Sequence, residues 1–179
     1  MSRRTTECYS VYGLTLAVAA CPVIAEALHE RLRLFPLGAQ TPADLCFDFH
    51  LVPAPNEHVV NKPAGPSRLL YEMADGEVEY FDLAQTIFIS YRDAVRIQCE
   101  PAAGRATFSV VQPDNHNLWL LTHSLFTLPL SEVLKSKQLY SVHAAGVARN
   151  GLALLLAGPR GSATDFMIAP VSGDSIFHG

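Results

Sequence analysis

The sequence predicts a mixed α/β fold, rich in strands. Three observations carry that prediction. Between residues 45 and 111, short runs of alternating or β-branched apolar residues are separated by turn dipeptides. Residues 23–34 and 117–137 instead repeat their apolar side chains near the helical period. Finally, residues 152–157 (LALLLA) form a continuous apolar run between Asn150-Gly151 and a glycine-rich stretch. A strand buried on both faces reads this way.

Taken in order, residues 9–18 suit one strand, because aromatic and β-branched residues favour a pleated surface. Pro22 breaks it. Ile24, Ala27, Leu28, Leu32 and Leu34 then suit a short amphipathic helix over residues 23–34, ended by Pro36, Gly38 and Pro42. Residues 45–52 alternate, with Leu45, Phe47, Phe49 and Leu51 against Cys46, Asp48, His50 and Val52, as a half-buried strand does. Residues 53–66 hold four prolines and two asparagines, which predicts a surface loop, since proline lacks a ladder donor. A meander follows: residues 67–73, Asp75-Gly76, 78–83, 86–91, Arg92-Asp93, 94–99 and a further strand over 105–111. Residues 117–137 predict two helices, or one kinked at Pro129, with Lys135 and Lys137 at the end that favours cations. Residues 140–148 and 152–157 flank Arg149-Asn150-Gly151 and predict a tight hairpin, because Asn and Gly both tolerate positive φ.

The 179 residues suffice for one domain with a real core, and 49% hydrophobic with 17% charged content excludes a disordered chain. The 13 Lys and Arg are spread singly in a chain of net charge −4, which excludes a nucleic-acid footprint. Cys8, Cys21, Cys46 and Cys99 lie far apart with no C-x-x-C pair, and read as reduced, buried thiols of a cytoplasmic protein. Arg3 and Arg4 ahead of the apolar residues 11–21 superficially suggest a signal peptide. Tyr9, Ser10, Tyr12 and Thr15 interrupt that run, and a strand fits it better. No stretch reaches the length of a membrane span, so a membrane partner is not expected.

The chemistry concentrates where the apolar run empties into Gly158-Pro159-Arg160-Gly161-Ser162. A phosphate-cradling loop has the pattern G-x-x-x-x-G-K-[ST] after a strand and before a helix. Its glycines let backbone N–H groups converge on phosphate, its Lys reaches the terminal phosphates, and its hydroxyl holds Mg²⁺. Counted from Gly158, this chain has Ala163 for the second Gly, Thr164 for the Lys and Asp165 for the Ser/Thr. On the residues alone, a plain Gly-Pro turn is the competing reading, and His143 is a strand histidine satisfied by backbone.

The stretch VHAAGVARNGLALLLAGPRGS resembles the catalytic domain of the HPr kinase/phosphorylase family and its serine-kinase relatives. LLTHSLFTLPLSEVLKSKQLYSVHAAGV is similar to the segment that precedes that strand in the family, and TECYSVYGLTLAV to its first strand. The resemblance is specific from about residue 120 to 162 and fails from Ala163 on. It divides the chain into residues 1–162, the front half of such a domain, and 163–179, a divergent tail. It implies a truncated phosphoenolpyruvate-carboxykinase-like nucleotide core, with the meander as an antiparallel layer in front of it. It also implies ATP and Mg²⁺ as cofactors, and a protein or small-molecule serine acceptor. His143 would then lie by the γ-phosphate. Gly158, Pro159, Arg160, Gly161, Ser162, Ala163, Thr164 and Asp165 would form the loop.

Three departures lower the expected kinase activity to very weak or none. Thr164 supplies no cation for the transferred phosphoryl group. Asp165 repels polyphosphate. Pro170 and Gly173 stop a following helix within about two turns. The family's catalytic Asp and second Mg²⁺ ligand follow the loop, so the expected gene product is interrupted. A non-catalytic nucleotide-sensing or interaction remnant is the alternative, and a homo-oligomer stays open. Other constellations point to nothing: His116 and His123 have no matching Cys or Glu for a metal, Ser162 lacks a nucleophile elbow, and Glu72, Glu77 and Glu79 read as solvated.

Overall fold

The first strand of the sequence reading is a hairpin. In the computed structural model, β1 (Thr5–Val11) and β2 (Leu14–Ala20) pair antiparallel, with Val11 opposite Leu14. Tyr12 and Gly13 form the two-residue loop at φ 52° and 84°, the double positive φ of a type I′ turn. The structure describes residues 4–38, 42–73, 76–111, 114–140, 145–149, 152–156 and 175–178. They fall into two units, Met1–Leu139 and Tyr140–Gly179.

The first unit is built on one mixed eight-stranded sheet. Its other strands are β3 (Leu45–Val52), β4 (Arg68–Met73), β5 (Gly76–Leu83), β6 (Thr86–Tyr91), β7 (Val95–Glu100) and β8 (Arg105–Val111). The order is β1-β2-β3-β8-β7-β6-β5-β4. The meander therefore makes no layer of its own: β8 pairs parallel with β3, and β3 parallel with β2, which merges meander and first hairpin. A parallel neighbour requires a crossover. Helix α1 (Pro22–Leu32) supplies it between β2 and β3. Pro22 begins this helix as well as ending the strand, since the first helical turn has no use for its missing N–H.

The α-helices of this unit add side chains to the same core. Ile24, Leu28 and Leu32 of α1 pack with Leu16, Val18, Leu45, Phe47 and Phe49, and with Ile87, Ile89, Ile97 and Phe108 of the meander. Phe49 stacks on Phe108 at 4.0 Å, and Phe126 meets Phe47 edge-on at 5.6 Å. The alternation read in residues 45–52 is observed, with one twist at its end. Leu51 is 40% exposed, whereas Val52, on the face opposite Phe47, is 6% exposed.

Part of that opposite face is covered by residues 53–66. The stretch runs over the surface as expected, yet His58 and Val60 within it are buried, Val60 against Phe81 and Phe88. Hydrophobic burial here reaches across the sheet's second side, which loop composition does not announce.

After β8, Asp114 caps α2 (Asn115–Leu120) by accepting the Asn117 N–H at 2.7 Å. One wide turn of π geometry, Leu121–Leu125, leads into α3 (Phe126–Ser136). Pro129 sits inside α3 rather than at a break. The irregular turn falls just before it, because proline offers no N–H to the Leu125 carbonyl and its ring crowds that group. Hydroxyls bond other carbonyls there: Thr122 donates to Leu118 O at 3.0 Å and Thr127 to His123 O at 2.7 Å.

The second unit contains β9 (Ala145–Arg149), β10 (Leu152–Leu156) and β11 (Ser175–His178), in the order β10-β9-β11 and all antiparallel.

Candidate functional site

The sequence places the chemistry around the β9–β10 hairpin. Arg149 pairs with Leu152, so Asn150-Gly151 is a two-residue connection, as the dipeptide predicts. At the other end of the ladder Ala145 pairs with Leu156. His143 precedes Ala145 by two residues and Gly158 follows Leu156 by two. Both arms of the candidate site thus attach at the same end of one hairpin. His143 and the loop Gly158, Pro159, Arg160, Gly161, Ser162, Ala163, Thr164 and Asp165 lie outside the described residues. The tail contributes β11, whose Ser175 and His178 pair with Ala148 and Ala145. Its SIFH sequence alternates weakly, although Ser172-Gly173-Asp174 before it is a turn signal.

In the first unit the structure assembles polar clusters that the sequence reading did not single out. The His58 imidazole is 2.9 Å from the Asp93 carbonyl through Nε2 and 2.8 Å from Ser109 Oγ through Nδ1. A carbonyl only accepts, so Nε2 carries the proton and Nδ1 accepts from the Ser109 hydroxyl. Ser109 Oγ in turn accepts the Val59 N–H at 3.1 Å. Serine, histidine and a third orienting group suggest a nucleophile. Here Ser109 is fully buried and His58 is 8% exposed, so the arrangement holds a loop down and offers no attacking oxygen.

Glu79 forms a second cluster. It pairs with Lys62, accepts the Ser90 hydroxyl at 2.8 Å and accepts Ser67 at 3.3 Å. The hydrogen bond from Lys62 is the largest reason its carboxyl lies below the usual carboxylate range; partial burial opposes it, and Ser90 and the Lys62 charge add to the lowering. Lys62 also sits 5.7 Å from the Phe81 ring centre. Glu79, read from sequence as solvated, is a fixed acceptor.

Two further groups lie at the β1 side. Tyr9 donates to Glu7 and approaches His29 Nδ1 at 3.2 Å, while His29 and Glu7 are 3.4 Å apart. Burial, then the Glu7 bond, raises the Tyr9 phenol, which stays protonated. Arg4 pairs with Asp48, whose other oxygen is 3.2 Å from His50 Nε2. Burial first, and the Arg4 charge second, lower the His50 pKa; Asp48 does not outweigh them. Cys99 is buried behind α3, 3.8 Å from the Pro129 carbonyl, and burial with Glu132 and Glu100 pushes its thiol up to about 12. Such a thiol is inert at neutral pH.

Among the described residues no group of three His, Cys, Asp or Glu could hold a metal ion, and no helix is long and apolar enough to cross a membrane. No family model, no curated protein and no solved structure matches the chain.

Proposed function

We propose that this chain carries the nucleotide-loop arm of an ATP-dependent serine kinase of the HPr kinase/phosphorylase-like family, and that the arm has lost phosphoryl transfer. The observation that carries the reading is the run from β9 through Asn150-Gly151 and β10 into Gly158-Pro159-Arg160-Gly161-Ser162. A two-residue hairpin whose second strand is wholly apolar delivers a glycine-rich loop to the end of a sheet. The backbone N–H groups of a loop of this composition would suit an anion. In this family Mg²⁺–ATP would supply the phosphoryl group, with a serine hydroxyl of a protein or small molecule as acceptor. His143 is assigned to the γ-phosphate side, from the end of β9 that pairs with Leu156.

The loss of activity rests on residue chemistry. A Lys at position 164 would neutralise charge that develops on the transferred group; Thr164 brings only a hydroxyl dipole. Asp165 adds a negative charge beside a polyphosphate, favourable only through a bridging cation. A nucleotide-sensing role without catalysis is the second reading, favoured by the glycine-rich start of the loop, Gly158 to Ser162, alongside the missing Lys.

Calorimetry with ATP and Mg²⁺ tests both readings on two proteins, the native chain and the triple variant Ala163→Gly, Thr164→Lys, Asp165→Ser. Binding by the native chain supports sensing. Binding only by the triple variant supports a cradle that has lost its charge. If neither binds while both melt cooperatively, the loop is a turn and the kinase reading falls.

A further inference from the structure

Residues 53–66 cross the sheet face opposite the helices, and their attachment differs from that of every strand beneath them. The sheet is held by continuous ladders. The crossing segment is held by side chains at three points. His58 bridges Asp93 O and Ser109 Oγ. Val60, 2% exposed, sits on Phe81 and Phe88. Lys62 pairs with Glu79. Its one backbone donor bonded to the sheet, the Val59 N–H, goes to the Ser109 hydroxyl and not to a carbonyl of a strand. Within the segment, Glu57 N–H closes a single turn on Ala54 O at 3.0 Å.

The ends of the segment are stiff and sharply bent. Pro53 and Pro55 open it, and Pro63 and Pro66 flank Gly65, whose φ of +119° places no atom within 4 Å of an added Cβ. Removing the three anchors would therefore break no ladder bond, while Pro53 and Pro66 tether the segment to β3 and β4.

We infer that residues 53–66 form a latched strap, a cover that opens as a unit while the eight-stranded sheet stays folded. The His58–Ser109 bridge is the latch, because it is the one anchor that is both buried and saturated. Opening the strap uncovers Phe81, Phe88 and the Ser109 hydroxyl in one step. Local opening of this kind is the behaviour of elements with few buried contacts and no shared ladder.

Native-state hydrogen exchange on the full chain tests the inference. The Val59 amide is expected to exchange at least about 100-fold faster than Phe88, Ile97 and Phe108 in β6, β7 and β8, with little dependence on low denaturant, the signature of a local opening. His58→Ala removes two hydrogen bonds and should accelerate Val59 roughly tenfold or more; sheet amides that exchange through global unfolding accelerate by the same factor, so the gap of about 100-fold and the difference in denaturant slope persist. Lys62→Met, at the exposed rim, should give a smaller acceleration of the same amide and keeps the test available should His58→Ala not fold. Val59 exchanging in step with the sheet, with the same denaturant slope, would overturn the inference, because the strap would then be part of the sheet's cooperative unit. Loss of the rate gap between Val59 and the sheet amides in Lys62→Met would overturn it too.

Discussion

Two glycines share a backbone conformation and differ in what surrounds them, so alanine at each separates strain from crowding. Gly13 has φ +84° and nothing within 4 Å of an added Cβ. Gly104 has φ +67°, and its Cβ would lie 2.5 Å from the Asp44 carbonyl oxygen and 3.4 Å from Leu45 Cδ2. Both substitutions incur the left-handed cost of an L-residue, about 1–2 kcal/mol. Both recover about 0.4–1 kcal/mol from a less flexible unfolded chain. Gly13→Ala should thus cost about 1 kcal/mol. Gly104→Ala adds the clash, and the atom in the way is backbone. Asp44 cannot swing aside without disturbing its own bond to Thr15 O, and Gly104 O holds the Cys46 N–H at 2.8 Å where β3 begins. Overpacking of that kind adds about 1–3 kcal/mol, for a total near 2–4 kcal/mol. Urea titration read by fluorescence of Trp119, the chain's one tryptophan and part of α2, reports the unit that holds both glycines. Equal losses at the two sites would refute the reasoning, as would a neutral Gly104→Ala.

Three further outcomes follow from burial and charge. A bulky thiol reagent on the native protein should label Cys46 rapidly and leave Cys8, Cys21 and Cys99 until unfolding, because only Cys46 of the four is exposed; mass spectrometry of digested protein identifies the labelled site. His50 has a folded pKa below 6.5, so the unfolded chain takes up its proton first, and stability rises with pH from the lowered value to 6.5 and is flat above. His50→Gln should flatten that part of a Tm-against-pH profile. Glu79 is lowered below 4.5, mainly by Lys62, so its contribution is present above 4.5 and is lost as pH falls through the folded value. Glu79→Gln should lower Tm at neutral pH and converge with the native chain in acid.

Much of the sheet was legible because its signals are local. Residues 86–91 and 105–111 alternate or run apolar between turns, and they form β6 and β8 within those bounds. Asn150-Gly151 fixed a hairpin from two residues. Tyr12-Gly13 does the same work in the first hairpin, yet an aromatic at the first loop position hides it, because β propensity and turn propensity point in opposite directions there. Pairings between distant strands were not legible. Nothing in residues 45–52 or 105–111 says that β3 runs parallel to β8, since that contact depends on where the crossover returns. The buried His58 and Val60 were missed for a similar reason. Their environment is assembled by Ser109, Asp93, Phe81 and Phe88, which lie 21 to 51 residues away along the chain.

The functional reading depends on the same distinction. A glycine-rich loop after an apolar strand is a local pattern, and it argues for a place where an anion is received. Whether phosphoryl transfer follows is decided by single charges, and two positions carry the decision. On the proposed reading, Thr164 would withhold a cation from the transferring group and Asp165 would bring an anion to it. In a kinase site screened from water both changes would disfavour the transition state, whose developing charge needs more than backbone dipoles to hold it. On the proposed reading, ground-state binding would survive such a change through backbone N–H groups, while turnover would not. The sensing proposal therefore predicts nucleotide binding without turnover, and binding of ATP and Mg²⁺ by the native chain is the outcome that separates it from a plain turn.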